Sequence, residues 1–263
     1  MPPSIVGTYR SVTTGNPIRR RKTLVASPSD IGMNYEAVFW DIGGVILDLG
    51  SVRAGHRAFV GVLADEHDLD REEALATWRD ELGSHFSTRE GTEFRSARVG
   101  YGRAVAAMVG HELPEEEWLP AFERATHENL EPVVGTVTAI GRLESHVHQG
   151  IVSDIDTWEG EALLSQFGVA DRLDAVTTSE EVGRTKPDPA MFETALEKAG
   201  VEPTAALMVG DRYENDMRGA ARAGIDTVAF GGSASEAAPD DPVVTYRVDD
   251  PLDIVGLVGI DDR

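Results

Sequence analysis

In four short segments of the sequence, an apolar, strand-like run is followed by side chains suited to chemistry. The first places a carboxylate before two glycines, the second a hydroxyl, the third a lysine just before a helical pattern, and the fourth two carboxylates. In chain order, the segments and their reactive residues are 38–45 with Asp41, 151–154 with Ser153, 183–189 with Lys186, and 207–216 with Asp211 and Asp216. Because ligands bind at the carboxyl ends of parallel strands, we expect these segments to share one crevice.

Together these side chains favour phosphoryl transfer. Asp41 and Asp211 supply the hard oxygen ligands that Mg²⁺ takes, usually with only one or two protein carboxylates. Ser153 adds a hydrogen-bond donor, and Lys186 adds a fixed positive charge. A metal and a lysine neutralise phosphoryl oxygens while a carboxylate attacks phosphorus, so the expected intermediate is an aspartyl-phosphate.

The elements that must position these residues alternate between short apolar runs and helical patterns. From residue 36 onward this alternation predicts an α/β fold with a doubly wound parallel sheet. The predicted strands are 37–40, 150–153, 175–178, 205–209 and 227–230. The long gap between the first two strands reads as several helices, with apolar stripes that contain Trp78, Tyr101, Trp118 and Phe122. We expect these aromatic side chains to form the core of a helical insertion.

In this order and at this spacing, the four segments resemble the motifs of the haloacid dehalogenase (HAD) superfamily. The resemblance covers residues from about 36 to 255, with the helical insertion in the position of a type C1 cap. It implies an α/β core at residues 33–50 and 136–263 with a helical cap at residues 51–135.

The resemblance implies which residues hold the nucleophile and the metal. Asp41 is the implied nucleophile and also a metal ligand, and Asp211 is the implied second ligand of Mg²⁺. Gly43 stands where the superfamily contributes a backbone carbonyl to the metal, a part that a glycine still serves. Mg²⁺ is therefore the implied cofactor.

The resemblance also implies which residues act on the substrate. Ser153 would donate a hydrogen bond to the transferring phosphoryl group, and Lys186 would pair with that group and with the nucleophile. Asp216 would hold metal-bound water or orient Lys186, and Asp154 and Gly44 would line the substrate. Taken alone, Ser153 also fits a helix N-cap and Asp154 a loop acid.

Gly43 departs from the pattern of the superfamily's phosphatases, which usually carry a second aspartate there. That aspartate protonates the leaving oxygen and then activates water, so its absence predicts a loss of general acid-base help worth roughly 10²- to 10⁴-fold. The Asp-x-Gly-Gly-Val pattern nevertheless resembles a subgroup that includes glucose-1-phosphatase-like sugar phosphatases. Asp48 or a metal-bound water would then substitute for the missing group, unless Asp48 is a turn residue.

Three functions are compatible with these residues. The favoured one is a Mg²⁺-dependent phosphatase that hydrolyses a small phosphomonoester, such as a sugar phosphate, through an aspartyl-phosphate. A metal-independent 2-haloacid dehalogenase also needs no aspartate at position 43, but dehalogenases generally have Ser or Asn at the position of Asp211. The third is a non-catalytic phosphate-binding homologue. Cap residues between positions 85 and 101 are expected to select the substrate, in a monomer or a homodimer.

Composition argues against several other classes. With 46 acidic and 24 basic residues, the formal charge of −22 disfavours binding to nucleic acid. The chain has no cysteine, which excludes disulfides and thiolate chemistry, and no apolar run approaches the roughly 18 residues of a membrane span. We expect a cytoplasmic protein. Its many acids and few lysines are typical of proteins from salt-loving organisms, or of acidic proteins encoded by GC-rich genes.

Residues 1–32 differ from the rest of the chain, because they carry about +4 while the remainder carries about −26. They are rich in Ser, Thr, Pro and Gly and have no apolar periodicity, which predicts a disordered basic tail. Two alternatives are an organellar transit peptide and a true start at Met33.

Overall fold

The computed structural model describes residues 35–260, so the predictions for residues 1–32 lie outside the described part of the chain. Its strands are β1 (Ala37–Trp40), β2 (His148–Ser153), β3 (Ala175–Thr178), β4 (Ala206–Gly210), β5 (Asp226–Ala229) and β6 (Tyr246–Arg247). They form one sheet in the order β3-β2-β1-β4-β5-β6, and all neighbouring pairs are parallel. The predicted doubly wound α/β fold is confirmed, and each of the five predicted strands lies within two residues of its observed bounds.

Helices connect the strands and cover the sheet. They are α1 (Leu49–Glu66), α2 (Arg71–Ser87), α3 (Ala97–Val109), α4 (Glu115–Asn129), α5 (Val134–Leu143), α6 (Thr157–Gln166), α7 (Ser179–Val182), α8 (Pro189–Ala199), α9 (Arg218–Arg222), α10 (Gly232–Ser235) and α11 (Asp253–Leu257). A single π-helical turn, Tyr213–Met217, leads from β4 into α9. None of the described helices combines the length and the apolar character needed to cross a bilayer.

The sheet separates two hydrophobic cores. Along β1, Val38 and Trp40 face one core, whereas Ala37 and Phe39 face the other, as the two-residue period of a strand requires. All four side chains are fully buried. A strand covered on both faces reads as a continuous apolar run, which is why β1 was visible in the sequence.

Helices α1–α4 form a helical cap inserted between β1 and β2. The cap has its own buried cluster, in which Trp78 stacks on Tyr101 with ring centroids 5.6 Å apart and Trp118 and Phe122 are also buried. The prediction that these aromatic side chains form a core is therefore confirmed. The next helix, α5, instead packs on the sheet through residues such as Ile140.

The two chain crossings between sheet and cap lie side by side. Leu47, on the way out, forms an antiparallel bridge with Pro132, on the way back. The amide of Asp48 donates a hydrogen bond to the carbonyl of Glu131 at 3.0 Å. These contacts hold both ends of the cap at one point beside the sheet.

Two further contacts join the cap to loops at the carboxyl edge of the sheet. The carboxylate of Asp156, which follows β2, accepts hydrogen bonds from Ser96 Oγ and from the amide of Ala97 at 2.8 Å, and so satisfies the first turn of α3. The amide of Thr185 donates to the carbonyl of Thr92 at 2.7 Å. The cap is therefore attached on the side of the sheet where the reactive segments end.

His56 of α1 lies within the cap's aromatic cluster. Its ring packs edge-on against Trp78 and Tyr101, and its Nδ1 accepts a hydrogen bond from the indole of Trp78 at 3.4 Å. Burial lowers the pKa of His56 to about 4, because the surrounding rings cannot solvate an imidazolium.

We predict that this neutral imidazole makes the fold sensitive to acid. The unfolded chain protonates His56 near its ordinary pKa, so the free energy of unfolding should fall as the pH decreases from about 6.5 towards about 4. The variant His56→Phe cannot titrate at this position. In urea unfolding at about pH 7 and about pH 5, it should therefore lose less stability between the two conditions than the wild type. The exposed His146, changed to Phe, is the control and should keep the wild-type pH dependence. Equal pH dependence in all three proteins would contradict the role of His56.

Candidate active site

The four predicted segments meet at the carboxyl edge of the sheet. The register of β1 pairs Trp40 with Ile151 of β2 and with Val209 of β4, so the three strands end side by side. The reactive residues that follow are all buried, namely Asp41, Ser153, Lys186, Asp211 and Asp216. The structure therefore brings these side chains together at one edge of the sheet.

Lys186 is fully buried among three oxygen atoms. Its Nζ lies 2.9 Å from the carbonyl of Val152, 2.9 Å from Asp41 Oδ1 and 2.6 Å from Asp216 Oδ1. Burial alone would lower the pKa of Lys186, but the charges of Asp216 and Asp41 outweigh it and raise the pKa above its ordinary value. The ammonium is therefore retained in the interior.

Asp41 is anchored through one of its carboxylate oxygens. Its Oδ1 accepts from the amide of Ile42 and from Ser153 Oγ, each at 2.8 Å, in addition to the contact with Lys186. Burial would raise the pKa of Asp41, but the charges of Lys186 and Arg212 and the hydrogen bonds lower it overall. The carboxylate is thus ionised, which is the form a nucleophile needs.

Asp216 is positioned to orient Lys186. One of its oxygens contacts Nζ, and the other accepts from the amide of Arg212 at 2.9 Å. A side chain at Gly210 would overlap Asp216, so the glycine that ends β4 permits this close approach. Of the two alternatives, this geometry favours the orientation of Lys186 over the holding of water.

Asp211 has the features of a cation ligand. Its Oδ1 is buried without a hydrogen-bond donor among the described residues. Burial, and then the negative charges of Asp41 and Asp216, raise the pKa of Asp211 to about 6. Asp41, Asp211 and Asp216 each place one oxygen within 4.8 Å of the others. A divalent cation would satisfy the free oxygen and offset this repulsion, so the residues present fit Mg²⁺.

The two glycines after Asp41 have different surroundings. Gly44 has a φ of +76°, a side chain there would overlap Asp211 Oδ2, and its amide already donates to the carbonyl of Leu47 at 2.9 Å. A Cβ at Gly43 would meet only Leu49 Cδ2, at an ordinary contact distance of 3.6 Å. The substrate contact of Gly44 and the metal contact of the Gly43 carbonyl remain predictions.

Asp154 organises a network that the sequence did not reveal. Its Oδ1 accepts from the amide of Lys186 at 2.7 Å, and its Oδ2 accepts from Arg212 Nη2 at 3.1 Å and from Asn215 Nδ2 at 3.2 Å. Arg212 Nη2 also lies 3.9 Å from Asp41 Oδ2. Arg212 and Asn215 were missed, although their places just beyond Gly210 and the strand end were the available signal.

Two other acids serve as helix caps. Asp48 is exposed, and its Oδ1 accepts from the amide of Ser51 at 2.7 Å at the start of α1, which favours its interpretation as a turn residue. Asp188 accepts from the amide of Ala190 at 3.1 Å and caps α8. Neither observation supports a role in catalysis.

Comparison with known proteins identifies related families and folds. A family model described as haloacid dehalogenase-like hydrolase matches residues 79–230. A glyceraldehyde 3-phosphate phosphatase from Methanothermobacter thermautotrophicus is 29% identical over 219 residues, which cover 78% of this chain and 89% of that protein.

Solved structures share the fold at low sequence identity. A HAD phosphatase from Thermococcus onnurineus superposes with a TM-score of 0.65 and 22% identity over 86% of this chain and 99% of that chain. A 2-haloacid dehalogenase from Pseudomonas syringae also gives a TM-score of 0.65, with 18% identity over 86% of this chain and 98% of that chain. The fold alone therefore does not separate phosphatases from dehalogenases, and the side chains must decide.

We predict that alanine will distinguish the two glycines. Gly44→Ala should lower the free energy of unfolding by at least about 1–2 kcal/mol, because a side chain with positive φ is strained even before it meets Asp211. Gly43→Ala is the matched control and should change stability little. Urea unfolding of both variants would measure the difference, and equal stabilities would show that Asp211 does not pack on Gly44 as described.

Proposed function

Because the chain belongs to the haloacid dehalogenase-like hydrolases, we propose that it is a Mg²⁺-dependent phosphatase that hydrolyses a small phosphomonoester through an aspartyl-phosphate. The observation that carries this proposal is the buried, unpartnered Oδ1 of Asp211 close to the ionised carboxylate of Asp41. The relative from Methanothermobacter is a glyceraldehyde 3-phosphate phosphatase, which supports a small phosphorylated metabolite, such as a sugar phosphate, as the substrate class.

Asp41 is the proposed nucleophile. One of its carboxylate oxygens attacks phosphorus, the acyl-phosphate bond forms, and the bond between phosphorus and the ester oxygen breaks. The departing oxygen keeps the electron pair and takes a proton from solvent. Water then attacks the phosphorus of the acyl-phosphate, which releases inorganic phosphate and restores the carboxylate of Asp41.

The surrounding side chains keep this carboxylate ready. Lys186 and Ser153 hold Oδ1 and thereby orient the carboxylate. Asp216 fixes Lys186 from the opposite side. Bound by Asp41 and Asp211, with the Gly43 carbonyl as a further proposed ligand, Mg²⁺ would supply positive charge against the phosphoryl oxygens.

The absence of an aspartate at position 43 affects which phosphate esters the protein is expected to hydrolyse fastest. Asp48, the other candidate, caps α1 from an exposed position. Without a carboxylic acid beside the leaving oxygen, esters with stable leaving groups should react faster than alkyl esters, because they need no proton in the transition state. The dehalogenase alternative remains compatible with Gly43, but it gives no use to the free oxygen of Asp211.

We predict that phosphate release from an aryl phosphate requires both Mg²⁺ and Asp41. A chelator should abolish release and also the binding of inorganic phosphate, because the uncompensated carboxylates repel an anion. Asp41→Asn should lower turnover by at least about 10³-fold, whereas Asp48→Asn, which removes an exposed carboxylate but keeps an oxygen that can cap α1, should keep it. Halide release from a 2-haloacid without metal would instead identify a dehalogenase. Silence in both assays from folded protein would identify a binding protein.

We further predict a gain of function at position 43. Gly43→Asp introduces an acid where a Cβ is accommodated, so hydrolysis of an alkyl phosphate should rise at least about tenfold. Hydrolysis of the aryl phosphate should change much less, because its leaving group needs no proton. Gly43→Asn has the same shape without the acid and should not raise either rate. A parallel rise on both substrates would show that proton transfer is not what the wild type lacks.

A further inference from the structure

We propose that Arg212 is a further side chain that donates directly to the transferred phosphoryl group, and that Asp154 positions it. This inference rests on the proposed phosphatase activity. It adds a contact to those expected from Ser153 and Lys186, and it gives a function to two residues that the mechanism above does not use.

Most side-chain N–H and O–H donors described in the crevice already face protein oxygens. An ammonium has three N–H groups, and the Nζ of Lys186 already faces three protein oxygens within 2.9 Å. The single hydroxyl proton of Ser153 points to Asp41 Oδ1. The two amide protons of Asn215 reach Asp154 Oδ2 and the carbonyl of Lys186, at 3.2 and 3.1 Å.

Arg212 is different, because most of its donors are free. A guanidinium has five N–H groups, and that of Arg212 makes one hydrogen bond within the described residues, from Nη2 to Asp154 Oδ2 at 3.1 Å. The side chain is 44% exposed, so it lies at the mouth of the crevice rather than in its interior. Nη2 is 3.9 Å from Asp41 Oδ2, the carboxylate oxygen of the nucleophile that Lys186 and Ser153 do not contact.

The balance of acidic and basic side chains in the crevice also favours Arg212. The crevice contains the carboxylates of Asp41, Asp211 and Asp216, with Asp154 at its edge, against the cations Lys186 and Arg212. Lys186 is fully used in neutralising Asp41 and Asp216. Among the described residues of this site, Arg212 is the cation that still has free N–H donors to offer an anion from solvent. A planar guanidinium also matches two phosphoryl oxygens at once, which an ammonium cannot do.

Asp154 is the positioning residue. It fixes Arg212 with the oxygen that also accepts from Asn215, and it holds the main chain of Lys186 with the other. The same carboxylate therefore accepts hydrogen bonds from both basic residues of the site, from the main chain of Lys186 and from the side chain of Arg212. Long arginine side chains lose considerable rotamer freedom on binding, and a partner that orders the guanidinium beforehand reduces that cost.

The test compares Arg212→Gln with Arg218→Gln. Arg218 lies six residues further along the same segment, is 45% exposed, and pairs with Glu214 at 3.2 Å, so it matches Arg212 in exposure and in having an acidic partner. With Mg²⁺ and an aryl phosphate, Arg212→Gln should lower kcat/KM about 10²-fold, the usual effect of removing one donor to a transition-state anion. Arg218→Gln should leave it unchanged.

Three further readouts separate contact from structure. Added guanidinium ion should restore part of the activity of Arg212→Gln and none of that of Asp41→Asn. Arg212→Lys should recover charge attraction, seen in KM, but not the full kcat. Asp154→Asn should raise KM by weakening the hold on Arg212. The affinity for Mg²⁺, measured by calorimetry, should not fall in Arg212→Gln, because the substitution removes a positive charge near the carboxylates and no metal ligand.

The outcomes distinguish this inference from the proposed function. If the wild type turns over and Arg212→Gln matches Arg218→Gln, or guanidinium gives no rescue, the role of Arg212 is wrong and the phosphatase stands. If the wild type shows no turnover, the proposed function fails. The role of Arg212 is then decided by calorimetry with inorganic phosphate and Mg²⁺, where equal affinities of wild type and Arg212→Gln would overturn it.

Discussion

The geometry of the candidate active site depends on the buried ammonium of Lys186. A charge without solvent is stable only when oxygen atoms surround it, and those around Lys186 come from three different elements: the end of β2, the residue after β1, and the π-helical turn after β4. The ion cluster therefore fixes the three strand ends relative to one another. Loss of the lysine would leave two buried carboxylates unpaired, a larger penalty than the pair is worth in net stability.

The acids around this ammonium differ in the direction of their pKa shifts. Asp41 lies next to it and has a lowered pKa, whereas the pKa of Asp211 is raised because burial and its acidic neighbours dominate. Asp216 also contacts the ammonium, yet burial raises its pKa, so burial and contact with Lys186 together decide how each acid behaves. The basic groups also differ, since Lys186 is enclosed and Arg212 is open to solvent.

Much of this architecture was predictable from the sequence because it depends on local patterns. Doubly covered strands such as β1 produce apolar runs, and the residue after each run is thereby placed at the sheet edge. Asp41, Ser153 and Asp211 follow from that rule. The two-residue strand β6 is too short to produce a pattern.

Contacts between distant segments were not predictable in this way. Asp156, which accepts hydrogen bonds at the start of α3, lies 60 residues from Ser96 in sequence, and the acidic partner of Arg212 is 58 residues away. Such pairings depend on how the cap and the strand ends are arranged in three dimensions. Neither segment has a periodic pattern that indicates these pairings. Taken alone, the acid in each pair resembles an ordinary loop residue.

The bridge between Leu47 and Pro132 has a consequence for how such a fold diversifies. Since the chain leaves and re-enters the sheet at adjacent points, the intervening helices form a module that another module of different length could replace without spreading the strands. A replacement would also have to keep the contacts with the loops at the carboxyl edge, because the buried Asp156 accepts hydrogen bonds from the start of α3 and the amide of Thr185 donates to the carbonyl of Thr92. Exchange of the module is therefore restricted by these loops as well as by the junctions.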